Sequence, residues 1–488
     1  MSLLKASWRT TVEGRSSFAG VLAESSASET EIPANLVRLG LPTSTYFPSK
    51  KGDVTMTRLR KLTGLLVCGY LSWAAPARAD AVADWNAIAV QAIITTSVPR
   101  PGPSNILDMA IVQVAVYEAI EAIDGRFRPY HLTIPGASGS PAAAAAKAAH
   151  DVLVSRFPDR AASVDTAYHS YLSNNGLSEN DPGVVVGQQA AAGILALRAN
   201  DGSFPSPPPP PVTGGTDPGV WRPTISYNPG PPPSLLPLAA PWMAIVTPFT
   251  LTSPAQFRAT PPPALPSDRY ARDYNEVKAL GALSNSTRTP EQTDLAYFWA
   301  ANYLVLWNQG LRDIANAHVH NIGDSARLFA LANVAFADAA ITAWDSKTHY
   351  LFWRPLTAIQ EGDNDGNSQT AGDPTWRPLI NTPPYPDYTS GANNVTGAVT
   401  LILALFFGTN EMTFSLTTTN PLAIQQTRTY HRFSDVARDV VNVRIYEGIH
   451  FRFADTAARS QGRHVAKWAF KHFLRPVNDN DNGDDDEE

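Results

Sequence analysis

Residues 382–405 read Thr382-Pro-Pro-Tyr-Pro-Asp-Tyr-Thr-Ser-Gly-Ala-Asn-Asn-Val-Thr-Gly-Ala-Val-Thr-Leu-Ile-Leu-Ala-Leu405. Three prolines in the first five residues remove amide donors and fix φ, so the stretch begins as a loop. Val395, Val399, Leu401, Ile402 and Leu405 then give an apolar helix. Between loop and helix stand Ser390 and Gly391. At a helix N-terminus such a pair offers a hydroxyl and free amides to an anion. Taken alone, Ser390 or Thr389 also reads as a simple N-cap.

The same alternation of proline-broken loop and apolar helix extends in both directions. Upstream, Ile106 to Ile123, 141–155 and 183–198 carry helical apolar periodicity, with Asn105 or Ser104 as a start signal. Further helices are expected at 268–282, 290–315, 325–346, 391–407, 433–448 and 455–473, the second opening on Thr289-Pro290-Glu291-Gln292. No period-two strand longer than four residues is expected, and no tandem repeat. The fold class is therefore mainly α. Residues 201–266 interrupt it with the proline runs 207–211, 231–233 and 261–263. Trp221, Trp242, Phe249 and Phe257 argue that this segment packs across the fold, because disordered linkers are poor in aromatics.

Two further blocks place cations at intervals that suit an oxyanion. Lys347 precedes Arg354-Pro355 by seven positions, two helical turns, so a single helix would point both cations one way, with Pro355 ending or kinking it. Arg444 and His450 close another apolar segment beside Ile445, Ile449, Phe451 and Phe453. Planar Arg forks bind oxyanions bidentately and Lys adds a point charge. Each block alone reads more readily as a solvated basic face or a core histidine than as part of a binding site. The other histidines, including His318, His320, His349 and His431, have no supporting constellation, and no zinc motif is present. The Asp363-Asn-Asp-Gly-Asn367 loop lacks the bidentate glutamate of a calcium loop, Pro374 standing at that place, and reads as a turn.

Composition narrows the possibilities further. A net charge of −6 gives no reason to expect nucleic acid or an acidic membrane surface as a partner. Met56-Thr-Arg-Leu-Arg-Lys61, an apolar run from Leu62 to Ala75 and Pro76-Ala-Arg-Ala79 form the three parts of a secretory signal cleaved after Ala79. An exported chain, periplasmic or secreted, is expected. Residues 1–55 read as a non-structural extension, 56–79 as the signal, 80–475 as the folded region (anion-site half 267–475), and 476–488 as an acidic tail. Cys68, the single cysteine, lies in the signal, so the remainder has no thiol chemistry. No second apolar run of membrane-spanning length is expected.

Lys-x6-Arg-Pro, Ser-Gly and Arg-x5-His in this order resemble the superfamily of vanadium-dependent haloperoxidases and type 2 phosphatidic acid phosphatases. Trp353-Arg-Pro-Leu-Thr-Ala-Ile359 and Gly448-Ile-His-Phe-Arg-Phe453 are similar to its exported bacterial haloperoxidase-like branch. The resemblance implies two four-helix-bundle-like halves joined by the Pro-rich segment, and a vanadate cofactor. Lys347, Arg354 and Arg444 would hold the equatorial oxygens, with Ser390 and the Gly391 amide adding hydrogen bonds. His450 would be the axial vanadium ligand, or the nucleophile of a phosphatase, which needs no cofactor. Tyr385 falls near the halide. Peroxide and halide would be the small partners. The chain departs from the family at Ala392, where an acid/base histidine is expected, at Val443, where serine is common, and at Ala454, where phosphatases often place an aspartate; Asp455 is one residue on. Three functions remain open: a haloperoxidase impaired by Ala392, a soluble acid phosphatase, and an inactive oxyanion binder.

Overall fold

Asp80 caps the first helix by accepting from the Val82 amide at 3.0 Å. From there a computed structural model describes residues 80–225 and 235–478. The extension, the signal and the tail beyond 478 lie outside these residues. The described chain forms thirteen α-helices, a two-stranded hairpin and short 3-10 turns.

The first group of helices is α1 (Ala81–Thr95), α2 (Asn105–Asp124), α3 (Pro141–Arg156), α4 (Ala161–Asn174) and α5 (Pro182–Arg198). Ala143 to Ala149 give α3 a thin face, so α2 and α5 both pack closely against it. After the Pro-rich segment come α6 (Asp268–Leu280), α7 (Pro290–Trp299), α8 (Tyr303–His318) and α9 (Ile322–Tyr350). The helix expected at 290–315 is thus two helices. Asn302 accepts from the Leu304 amide at 3.0 Å and caps α8, which breaks the run. The remainder is α10 (Pro355–Gln360), α11 (Gly391–Phe407), strands β1 (Glu411–Thr417) and β2 (Thr427–Arg432), α12 (Phe433–Tyr446) and α13 (Arg452–His472). The antiparallel hairpin corrects the expectation of no strand beyond four residues. Phe414 and Leu416 point inward while Thr413, Ser415 and Thr417 face out.

Helix α9 is shared by the two halves, packing on α2 at one side and on α11 and α13 at the other. By length and composition it could cross a membrane, contrary to the expectation above, but 94% of its apolar window is buried within the fold. It serves as the core helix. Helices α11 and α13 approach closely because Gly397 and Gly462 face backbone: a Cβ on Gly462 would lie 1.9 Å from the Asn394 carbonyl oxygen. The Pro-rich segment packs as its aromatics suggest. Trp221 is buried, and Asp338 of α9 accepts from the Phe249 and Thr250 amides at 2.6 and 2.7 Å.

Candidate oxyanion site

Lys347 occupies the last turn of α9. Leu351 then adopts φ 44°, closing the helix with its amide on the Lys347 carbonyl at 3.0 Å. Lys347 and Arg354 therefore do not share a helix as expected. The Pro-rich segment holds the turn instead, Trp221 N donating to Leu351 O at 2.6 Å and Trp353 N to Gly219 O at 2.9 Å. Arg354 sits at the N-cap of α10, and Pro355 begins that helix rather than ending the previous one. The reversal returns the guanidinium toward His450: Arg354 Nη1 is 3.0 Å from His450 Nε2 and donates to the Ile449 carbonyl at 2.7 Å.

His450 arrives by a different device. Gly448, at φ 78°, donates to Ile445 O at 2.9 Å, and Ile449 N reaches back to Arg444 O at 3.2 Å. This is the Schellman closure of α12, for which glycine suits the left-handed position. It sets Arg444 on the helix and His450 just past its end. Phe451 and Phe453 stack at 5.1 Å behind the imidazole, within a small aromatic core with Phe352, Trp353 and Tyr388.

Lys347, Arg354, Ser390, Arg444 and His450 are all buried and converge. Gly391, Ala392, Tyr385, Arg444 and His450 line a cavity of about 880 Å³, while Lys347, Arg354 and Ser390 lie behind its wall. The Lys347 ammonium position is 5.1 Å from the Tyr385 ring centre and the Arg354 guanidinium 4.9 Å. Ser390 makes no capping bond; its hydroxyl accepts from Asn393 Nδ2 at 3.3 Å and bonds to Asp455.

Three buried carboxylates stand among the three cations. Asp387 Oδ1 lies 2.8 Å from His450 Nδ1 and 3.8 Å from Arg354 Nη1. Glu447 Oε2 lies 2.6 Å from Arg444 Nη1. These are close ion contacts without well-aligned hydrogen bonds. Asp455 accepts from Asn393 Nδ2 at 2.8 Å, so Asp387 rather than Asp455 steadies the imidazole. Burial pushes Asp387 and Glu447 up to about 7 against the pull of the nearby cations. Burial and then Arg354 hold both Lys347 and His450 well below their ordinary ranges. For Arg444 burial opposes the charge, but Glu447 and the surrounding Tyr303, Tyr385 and Asp455 leave it raised.

The fit to an oxyanion rests on donors without acceptors. Arg354 Nη2 and Arg444 Nε are buried and unpartnered, a costly condition that a tetrahedral ion would relieve. Among the described residues no cluster of His, Cys, Asp and Glu suits a conventional metal ion. The Asp363–Asn367 loop is a closed turn, Asp365 accepting from Thr370 Oγ1 and the Asn367 amide. His349 is exposed, away from the site. Sequence reading missed Tyr303, a cavity-lining residue whose buried hydroxyl lies close to Arg444; its helix start at Asn302 was the available signal.

With this geometry in place, the relatives are informative. Residues 327–479 match the family model of the VCPO second helical-bundle domain. A vanadium chloroperoxidase of Curvularia inaequalis is 33% identical over 219 residues, which cover 38% of this chain and 35% of that protein. The match therefore spans about a third of the relative's length. The solved structure of the first bacterial vanadium-dependent iodoperoxidase superposes with a TM-score of 0.67 and 25% identity, covering 82% of this chain and 97% of that one. An apo bacterial vanadium-dependent chloroperoxidase gives 0.63 at 19% identity over 77% and 94%, a likeness of fold alone. The fold and the converging cations define a helical protein with a buried cationic site. Residues 327–479 belong to the family of the VCPO second helical-bundle domain, and the chain is similar in fold to the vanadium haloperoxidases.

Proposed function

We propose that this chain is an exported, vanadate-holding haloperoxidase that uses peroxide to oxidise halide, and that Ala392 makes it a slow one. The observation that carries this reading is the pair of buried guanidinium donors, Arg354 Nη2 and Arg444 Nε, left without acceptors beside His450. Lys347, Arg354 and Arg444 would hold the oxygens of vanadate, with Ser390 and the Gly391 amide beside them. His450 would ligate the vanadium, and Tyr385 would lie on the halide side. Bound vanadate supplies a Lewis-acid centre that makes a peroxide oxygen electrophilic toward halide.

The chain's own groups suit that task. Cations and burial keep the His450 imidazole neutral, the form a metal ligand must have. Lys347, whose Nζ donates to the Pro386 and Asp387 carbonyls at 2.5 and 3.1 Å, would regain its full charge beside an oxyanion. Ala392 has no proton to offer, and general acid/base help is worth ~10²–10⁴ in rate.

Asp387 beside His450 Nδ1 favours a second reading, because a phosphoryl-accepting imidazole needs such an orienting group. Against it, a leaving alkoxide must be protonated, and Ala392 cannot do so. Halide oxidation with peroxide and phosphomonoester hydrolysis, assayed side by side on vanadate-loaded and vanadate-free protein, separate the two. Halide oxidation alone is expected; hydrolysis alone identifies the phosphatase. Vanadate binding without either activity, restored by Ala392→His, would mean an oxyanion binder. Export is tested by N-terminal sequencing of the mature protein, expected to begin at Asp80.

A further inference from the structure

The loop that brings Tyr385 and Gly391 to the oxyanion cavity also carries Tyr388, which lines a separate cavity of about 510 Å³. No residue lines both. The second volume falls in the range of about 300–1,000 Å³ typical of small-molecule sites. The Pro-rich segment supplies one wall and α13 another. On α13 the lining residues Phe453, Thr456, Ala457, Ser460, Gln461 and His464 recur every three or four positions, so they form a single helical face. Phe257, Pro261 and Pro263 add apolar surface. Arg258, Arg269 and His464 line the cavity, and no described Asp or Glu does.

Several of its polar groups already hold the walls together. Gln461 Nε2 donates to the Phe257 carbonyl at 2.9 Å and to Ser346 Oγ at 3.0 Å, which pins the Pro-rich segment to α13 and α9. The Tyr388 hydroxyl donates to the Thr260 carbonyl at 2.5 Å. Arg258 is spent in a two-pronged pair with Asp345, at 2.7 and 2.6 Å. Arg269 is not spent. It makes no hydrogen bond or ion pair among the described residues, and it stands in the first turn of α6, where the helix dipole disfavours a cation. An anion beside it would relieve that repulsion. His464 and Ser460 also face the cavity with free polar atoms, the imidazole touching only the Phe257 ring at 5.8 Å.

We propose that this second cavity binds an aromatic carboxylate, its carboxylate on Arg269 and His464 and its ring against Phe257 and the faces of Pro261 and Pro263. The planar guanidinium of Arg269 matches a carboxylate with two parallel N–H donors. His464 supplies a ring N–H and Ser460 a hydroxyl. A flat ring suits the apolar half of the lining through offset or edge contacts. A bare inorganic anion would leave that half to water, and a neutral ring would leave Arg269 unmatched. The inference stands apart from the haloperoxidase reading, because the two cavities have no lining residue in common.

Calorimetric titration of the full chain with 2-naphthoate tests the site. Saturable one-to-one binding is expected in the wild type, and prior addition of orthovanadate should leave it unchanged. Arg269→Glu should weaken binding by about tenfold or more, as expected for loss of a charge-assisted contact. Ser460→Trp, which puts an indole into the cavity, should abolish it. Both side chains are exposed, so thermal melting should match the wild type; if the bulky variant does not fold, Arg269→Glu decides alone. The neutral analogue 2-naphthol should bind about tenfold more weakly than the carboxylate, for the same reason. No naphthoate binding by the wild type, undiminished binding by folded variants, displacement by orthovanadate, or equal binding of the naphthol would each overturn the inference.

Discussion

Ala392 puts a methyl group on the cavity wall beside Gly391 and His450, and a methyl group moves no protons. Ala392→His should raise the halide-oxidation kcat by ~10²-fold or more, toward the range typical of general acid/base groups. An unchanged kcat in a variant that still binds vanadate would show that another group already handles the proton. Glu447 is the second residue whose chemistry can be tested alone. It sits 2.6 Å from Arg444 and burial raises it to about 7. Its negative charge, present above that pH, opposes an incoming anion. Glu447→Gln should therefore strengthen vanadate binding on the order of tenfold at pH 8, as expected for one unit charge at short range in a partly screened interior. At pH 5.5 the wild type is itself largely protonated and the gain should shrink. Equal effects at both pH values would mean that Glu447 acts only by positioning Arg444.

The elements explain what the sequence could disclose. The bounds of α11 and the start of α7 at Pro290 were legible, because a proline-rich approach or a capping box punctuates the chain locally. The two cationic blocks were legible because charged residues in apolar segments need partners. The reversal at Leu351 was not, since it depends on Gly219 and Trp221 from the Pro-rich segment. The contact of Asp387 with His450 was hidden for the same reason, as it joins a loop to a distant helix end. The hairpin's signal, Met412, Phe414 and Leu416 alternating with Thr413, Ser415 and Thr417, is the period of a half-buried strand and was overlooked. One turn decides the site directly. Gly448→Ala would place a Cβ 2.4 Å from the Gly281 carbonyl oxygen at φ 78°. It should cost roughly 2 kcal/mol or more of stability and shift His450. Chemical denaturation and vanadate affinity measure the two effects; a variant unchanged in both would contradict the role given to this turn.

Across the whole molecule, burial raises Glu118, Glu121, Asp387 and Glu447 each to about 7. In the unfolded chain such groups titrate near 4. The folded state then binds more protons than the unfolded state between those values, so stability falls as pH rises through that window. The melting temperature of the vanadate-free protein should drop from pH 5 to pH 8, and a rise over that interval would show these carboxyls to be held ionised. The account as a whole depends on α9, the turn before α10, α11 and α12 bringing Lys347, Arg354, Arg444 and His450 around one oxyanion. Equilibrium dialysis of orthovanadate against the wild type and against Arg444→Ala and Arg354→Ala tests this most directly. The account predicts one vanadate per wild-type chain and an affinity reduced at least thirtyfold in each variant. No saturable binding to the wild type, or undiminished binding to folded variants, would contradict it.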